Sequence, residues 1–470
     1  MGIAGLGVMQ PASISTTTPP RRRPRLLDLF VSMIQASVRR DGRWAGSQTT
    51  DCEIAFRASI PELHTLRAAA AQTDSRCRVA MNMRTETPLK ITRTTALPLS
   101  YKLPEGNTVR LGVGATTKRD AIIVRVETDS GLIGYGEAHP GRSPGAVVSL
   151  INQTLSPMIA GMDPCDVVGV WNRVNRMQLS SHGMGAGAAL ALSGIDLALW
   201  DIRGKAAGMP LYRLLGGSKR RIPAYAGGIS MGFQAPESLL EEARGYVKAG
   251  YRAVKLRIGD TVSDDIRRVT AVRAGLGDDI EILTDANTNY RLSDAQRAMP
   301  ALQEARVAWL EEPFSALDFG AYRAAARFAP QVPIAAGENH YTRFDFARLL
   351  EDRAVSIFQP DLSKTGGITE SLRIAAMASA FGITIHPHSS ATGINHAASI
   401  HFLAAIDNGG YFEACVSKFN PLRDMFGQTF TIGTDGCVEP LDKPGIGLDI
   451  DEAIFAQFPA IDGPGYVVTF

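Results

Sequence analysis

EILTDAN at Glu281–Asn287, VAWLEEP at Val307–Pro313 and PIAAGEN at Pro333–Asn339 share one form, a short apolar run that closes on an acidic residue: Asp285, Glu311 or Glu338. The runs recur about every 25 residues, the spacing of successive strands in a (β/α)8 barrel. Such barrels carry their chemistry at the C-terminal ends of the strands, so carboxylates ending three consecutive strands converge at the barrel mouth. Three like charges a few ångströms apart would force protonation unless a cation stood between them. All-oxygen ligands suit a hard divalent ion, and Mg2+ in particular keeps positions open for water or substrate oxygens.

The cadence extends both ways. Upstream lie IPAYAGGI, ending near Ile229, and AVKLRI, ending near Ile258; downstream lie SIFQPDL near Leu362, TIHPH ending at His388, and GGYFEA near Ala414. That makes eight candidate strands. Between them, PESLLEEARGYVKAG, ALQEARVAWL and ESLRIAAMASAFG carry helical apolar spacing, the last ending in a Gly that reads as a C-cap. The expected catalytic barrel spans residues 220–428.

Ahead of it, KITRTTALPLSY and DAIIVRVETDSGLIGYGEA read as strands, the second turning at Asp129-Ser130-Gly131. AVVSLINQTLSPMIAG, DVVGVWNRVNRMQ and GAGAALALSGIDLALWDIRGKAAG read as helices, the last ending before Pro210. Strands followed by helices indicate an α+β capping domain over residues 89–215, with a contribution from about 430–470. Its segments Tyr101 to Thr117 and His139 to Pro144 are expected to lie over the barrel mouth.

The chain has 470 residues, 45% of them apolar, and a net charge of +2, enough for a large core and no basis for nucleic acid or an acidic membrane as partner. No run approaches the roughly 18 uninterrupted apolar residues of a membrane helix. Cys52, Cys77, Cys165, Cys415 and Cys437 have neither CxxC spacing nor an even count, which fits reduced thiols and a cytoplasmic location. Residues 1–80 break the cadence with a Ser/Thr/Pro stretch, a basic cluster (Arg21, Arg22, Arg23, Arg25) and the patch LLDLFVSMI. They read as an extension that does not belong to the native protein, with Met81 or Met83 as the natural start. A targeting peptide is the rival, against which Asp28 interrupts an apolar patch that is already short.

Two further pairs point into the barrel. Lys255 and Arg257 are two apart on the second strand and share its interior face, where only nearby anions offset their desolvation. A salt-bridged core is the bland reading; beside three acidic ligands, holding a substrate carboxylate or a distal hydroxyl is the functional one. His386 and His388 share one face of the seventh strand, and Asp361 ends the sixth. An aspartate there can fix the imidazole tautomer and raise the basicity of the other nitrogen. His388 lies nearer the strand's C-terminal end and is the candidate general base. Glu413 on the last strand could share a proton with a developing enolate oxygen. Asn287, Asn339 and His340, beside the ligand candidates, and His386 are candidate substrate contacts. A metal with bases around it suits abstraction of a proton α to a carboxylate, whose enediolate gathers charge on two oxygens.

From Leu89 to the C-terminus the chain resembles the mandelate racemase subgroup of the enolase superfamily. The motifs are ALSGIDLALWDIRGKAAG at Ala191–Gly208, VKLRIG around Lys255, DAN at Asp285, EEP at Glu311, GEN at Glu338, QPDLSKTGGIT at Gln359–Thr369 and Pro387-His388. The resemblance implies that Asp285, Glu311 and Glu338 bind Mg2+, that Asp361 and His388 form a dyad, and that Glu413 is the acidic residue of the eighth strand. It implies a homo-oligomer and a small-molecule carboxylate substrate. HPHSSATGINHAASIHFLAA and FNPLRD are similar to members acting on sugar acids, including aldarolactone cycloisomerases. One departure matters: where the family has Lys-x-Lys on the second strand, this chain has Arg257, and a guanidinium is a poor base. The expectation is therefore dehydration of a sugar acid by a single base, ahead of cycloisomerisation of a sugar-acid lactone and then racemisation or epimerisation. A catalytically silent binding barrel, whose signature would be a lost metal ligand, is the least supported alternative.

Overall fold

The computed structural model describes residues 89–467 apart from 328–331, 352, 354 and 390. The expected extension over residues 1–80 lies outside them. Eight strands, Ile222–Gly227, Ala253–Arg257, Glu281–Asp285, Val307–Glu311, Ile334–Ala336, Ile357–Phe358, Thr384–Ile385 and Phe412–Cys415, pair in parallel in chain order, and the last also pairs with the first. The ring closes where Ile385 bridges to Gly409, with the Ile385 and Gly410 amides donating across the seam. Seven helices fill the crossovers: Pro236–Lys248, Val262–Leu276, Leu292–Glu304, Phe319–Ala325, Thr342–Glu351, Gly367–Ala380 and Gly393–Leu403. Local chemistry starts several of them. The side chains of Thr261, Asp318 and Thr392 accept from amides of the first turn, and Pro236 sits where its missing N–H costs nothing.

Two details differ from the sequence reading. ALQEARVAWL is not one helix: the helix stops at Glu304, Arg306 takes a positive φ of 49°, and Val307 opens the fourth strand. The fifth to seventh strands are only two or three residues long, so Glu338, Asp361 and His388 stand just past the last ladder pair, on the turns that leave the barrel.

The barrel interior is layered, because residues two apart on a strand point the same way. Tyr225, Ala253, Leu283, Trp309, Ala335 and Ile357 form a lower apolar layer with Tyr411 against it. Two residues further along the same strands stand Lys255, Asp285, Glu311, Gln359 and Glu413, all buried. The apolar floor closes off solvent from below and leaves the charged layer facing the mouth.

The cap is an antiparallel sheet of Ile91–Lys102, Lys118–Thr128 and Ile133–Ala138, packed on the helix Ala186–Ala207. Gly136 permits that packing, since a Cβ there would stand 2.0 Å from the Gly194 carbonyl oxygen. The same helix anchors the cap to the barrel: Ser193 Oγ accepts from the Gly366 amide at 2.8 Å and Asp196 from the Thr369 amide at 3.0 Å. The C-terminal segment serves both parts. Cys437–Val438 pairs with the first barrel strand, and Tyr466–Val467 pairs with Gly114–Thr116 of the cap.

Candidate active site

A cavity of about 590 Å³ opens above the charged layer. Its barrel wall includes Arg257, Asn287, Glu312, Glu338, Asn339, Lys364 and His388; its cap wall includes Leu111, Val113, Lys118, Arg119, His139 and Arg142. The cap segments expected over the mouth therefore do line it.

Lys255 Nζ stands 2.6 Å from Glu311, 3.0 Å from Glu413 and 3.4 Å from Asp285. Burial opposes its charge, but these carboxylates hold its pKa well above the ordinary value. Arg257 donates to Asp285 and to the Gly228 carbonyl, and to Asn287 Oδ1 at 3.2 Å. Trp309 and Gln359 donate to the other oxygen of Glu311 at 3.1 and 2.7 Å. Burial pushes the Glu311 carboxyl up; Lys255 opposes, Asp285, Glu413 and Glu338 add to the rise, and it reaches about 7. Glu413 goes the other way, to about 2, because Lys255, His388 and Arg257 outweigh its burial.

His388 Nδ1 lies 2.6 Å from Asp361 Oδ2, and its Nε2 lies 3.0 Å from Glu338 and 4.0 Å from Glu413. Asp361 is fixed on its other oxygen by the Ser363 amide (2.7 Å), Ser363 Oγ (2.6 Å) and Asn395 Nδ2 (3.0 Å). Burial would lower the His388 pKa, but Glu338, Glu413 and the bond to Asp361 raise it well above the ordinary imidazole value. Asp361 and Glu338 thus hold the His388 ring from both sides.

The three proposed ligands stand around the mouth, yet each turns to protein donors: Asp285 to Arg257 and Lys255, Glu311 to Lys255, Glu338 to His388 and Asn339. Among the described residues no three His, Cys, Asp or Glu side chains close on one point. The electrostatics nevertheless fit a hard cation. Asp285, Glu311, Glu312, Glu338, Asp361 and Glu413 are six acidic side chains, and the permanent cations paired with them among the described residues are Lys255, Arg257 and Lys364. Burial and then Glu338 and Asp285 push Glu312 well above the carboxylate range, and its buried Oε1 has no hydrogen-bond partner among the described residues.

Two expected substrate contacts stand elsewhere. His340 is sealed among Phe319, Tyr322 and Phe346, with both ring nitrogens unpartnered among the described residues and its pKa lowered by burial to about 4. It is a neutral core ring. His386 shares the face of His388, as expected, but one layer lower: its ring meets Trp309 at 5.0 Å and Tyr411 at 5.7 Å, and Nδ1 accepts from the Tyr411 amide. It belongs to the barrel floor. Asn287 and Asn339 do line the cavity, and their amides hold Asp285 and Glu312. Residues not singled out from sequence are Glu312, Lys364, Asn395 and Arg119. Glu312 follows Glu311 and would ordinarily point to the opposite face; a φ of 36° turns it inward.

Fold and site together define a capped (β/α)8 barrel whose mouth holds a buried His-Asp pair amid an excess of carboxylates. Residues 80–216 match the mandelate racemase/muconate lactonizing enzyme N-terminal domain, and residues 238–454 match the enolase C-terminal domain-like family. The chain belongs to this family of the enolase superfamily. It is 36% identical to the arabinonate dehydratase of Saccharolobus solfataricus over 72% of this chain and 90% of that one. A solved enolase-superfamily member from a Polaromonas species is 67% identical, with a TM-score of 0.79 over 81% of this chain and all of that one. A racemase from Streptomyces coelicolor, solved with bound magnesium, is 30% identical, with a TM-score of 0.71 over 79% of this chain and all of that one.

Proposed function

We propose that this protein dehydrates a sugar acid, with His388 as its single base. His388 Nε2 takes the proton α to the carboxylate, leaving the electron pair in an enediolate. Collapse of the enediolate expels the β-hydroxyl, which takes the proton back from the imidazolium and leaves as water. The enol product tautomerises to a 2-keto-3-deoxy acid. The supporting observation is the 2.6 Å bond from His388 Nδ1 to an Asp361 that is itself held by Ser363 and Asn395, which fixes the ring and aims Nε2 into the cavity. Nε2 must leave Glu338 and give up the proton it shares with that carboxylate before it can accept one.

Asp285, Glu311 and Glu338 would hold Mg2+, which when bound supplies counter-charge for the two enediolate oxygens. Lys255 braces Glu311, Asp285 and Glu413 and adds positive charge beside the developing enediolate, while Glu413 holds Lys255 in place. Arg257, committed to Asp285 and Gly228, orients rather than abstracts. The magnesium-bound racemase and the arabinonate dehydratase support the metal and the substrate class. The same reading takes a small-molecule carboxylate as partner, a homo-oligomer as working form and the cytoplasm as compartment; no described helix is long and apolar enough to cross a membrane.

The test is a screen of acid sugars and their lactones for keto-acid formation with Mg2+ present. Chelation should abolish turnover and added Mg2+ restore it. Full activity in chelator would overturn the metal assignment. Turnover confined to lactones, without keto acid, would move the reading to a cycloisomerase.

A further inference from the structure

The cations around the cavity are nearly all committed. Lys118 pairs with Asp120 at 3.1 Å and donates to the Ile461 carbonyl, Arg257 donates to Asp285, and Lys364 stands 3.9 Å from Glu338. Arg142 is solvent-exposed and lies over the Tyr466 ring, 4.9 Å from its centroid. Arg119 is the exception. It lies on the cap strand Lys118–Thr128, lines the cavity and is only 9% exposed, yet among the described residues it has no hydrogen bond or ion pair, and its buried Nε is unsatisfied. The groups that act on it electrostatically are Cys415, Tyr466 and Arg423, none a carboxylate. Asp120, its chain neighbour, is taken by Lys118 and by Ser100 Oγ at 2.6 Å.

Burial opposes the Arg119 charge, Cys415 and Tyr466 oppose that only in part, and no carboxylate among the described residues pairs with its guanidinium. Its planar fork suits a carboxylate bound through two parallel hydrogen bonds. It comes from the cap, whereas His388 and the acidic cluster come from the barrel, and one cavity is lined by both, so a single ligand there can meet Arg119 and His388 together.

Resting on the sugar-acid reading above, we propose that Arg119 is the subsite for a second carboxylate at the far end of the substrate. The preferred substrate is then a sugar diacid, or a lactone that keeps one free carboxylate, rather than a monoacid.

The experiment uses matched pairs of hexaric and hexonic acids that share the configuration of their carbinol carbons, with the full chain and Mg2+. Each acid is measured twice, by steady-state turnover and by calorimetric binding. The unmodified protein should favour the diacid of a pair at least tenfold in kcat/KM. Arg119→Gln should cut that preference at least tenfold, mainly through the KM of the diacid, and Arg119→Lys should restore part of it. Melting curves of both variants check the fold, and the Lys variant keeps the test open if the Gln variant does not fold. A diacid preference that moves less than twofold in these variants overturns the subsite. So does a preference for a hexonic acid phosphorylated at its far end, which would make the distal group a phosphate. The binding arm separates the two claims. Arg119-dependent diacid binding without keto acid from any member of the panel keeps the subsite and overturns the dehydratase; monoacid dehydration indifferent to Arg119 does the reverse.

Discussion

At the scale of single residues, the difference between His386 and His388 is two positions and one layer. Strand geometry assigned both to the barrel interior but could not set their depth, because depth depends on where the seventh strand starts in the ring. The aromatic floor of Tyr225, Trp309 and Tyr411 takes His386, and His388 is left at the mouth beside Asp361. His340 and Glu312 were hidden for related reasons: the ring turns into a pocket built by side chains far away in sequence, and the carboxylate owes its direction to one positive φ. Asp361→Asn should lower kcat at least 100-fold, since the amide cannot hold the required tautomer or stabilise the imidazolium. With one base, α-proton exchange in deuterated water should occur from one configuration only and vanish in His388→Asn. Arg257→Lys should open slow exchange on the second face, because an amine can lose its proton where a guanidinium cannot. NMR integration of the α-position measures all three variants, and ready interconversion of both epimers by the unmodified protein would make it an epimerase.

At the scale of elements, helices were legible where apolar period and terminal residues agreed, as in Pro236–Lys248 with its Pro in the first turn. They were misread where a helix ran into a strand without a Gly or Pro between them, at Glu304 to Val307. One connection could not be seen in any local pattern. Glu137, at the end of a cap strand, accepts from the amide of Thr392 at 3.0 Å and from its hydroxyl, at the N-terminus of the barrel helix Gly393–Leu403. Burial raises this carboxyl from 4.5, the Thr392 bond opposes and the Asp361 charge adds, and it reaches about 8. A folded-state pKa above the unfolded one means that the folded protein keeps a proton the unfolded chain has lost. The stability it contributes is full below about 4.5 and is lost as pH rises through about 8. Glu137→Gln, which cannot ionise, should lose less melting temperature than the unmodified protein between pH 5 and 8. Asp196, raised by burial to about 7, should leave some of the slope in place. Identical slopes would show that Glu137 is ionised in the folded protein throughout.

At the scale of the whole molecule, the barrel was legible because one pattern repeats eight times along the chain, and the proposed metal ligands were singled out because they occupy equivalent positions in three of the repeats. The cavity was not, since more than a third of its wall is brought in from the cap and from the C-terminus, where spacing carries no information about what meets what. Tyr466 shows this most directly. Its strand pairs with Gly114–Thr116, the Gly465 carbonyl accepts from the Thr117 amide at 2.9 Å, and its ring lines the cavity beneath Arg142. The barrel ring is complete without this strand, and Cys437–Val438, which pairs with the first barrel strand, lies well upstream. Ending the chain after Gly463 should therefore leave far-ultraviolet circular dichroism nearly unchanged and lower the melting temperature by only a few degrees, in line with the loss of one short edge pairing of order 1–2 kcal/mol. It should raise KM for the best acid at least tenfold with a smaller change in kcat, because the reacting groups stay on the barrel while the cap wall loses its edge. An unchanged KM would show that the cap wall is held by the sheet Ile91–Ala138 alone, and a collapsed melting curve would show that the last strand stabilises the barrel as well as the cap.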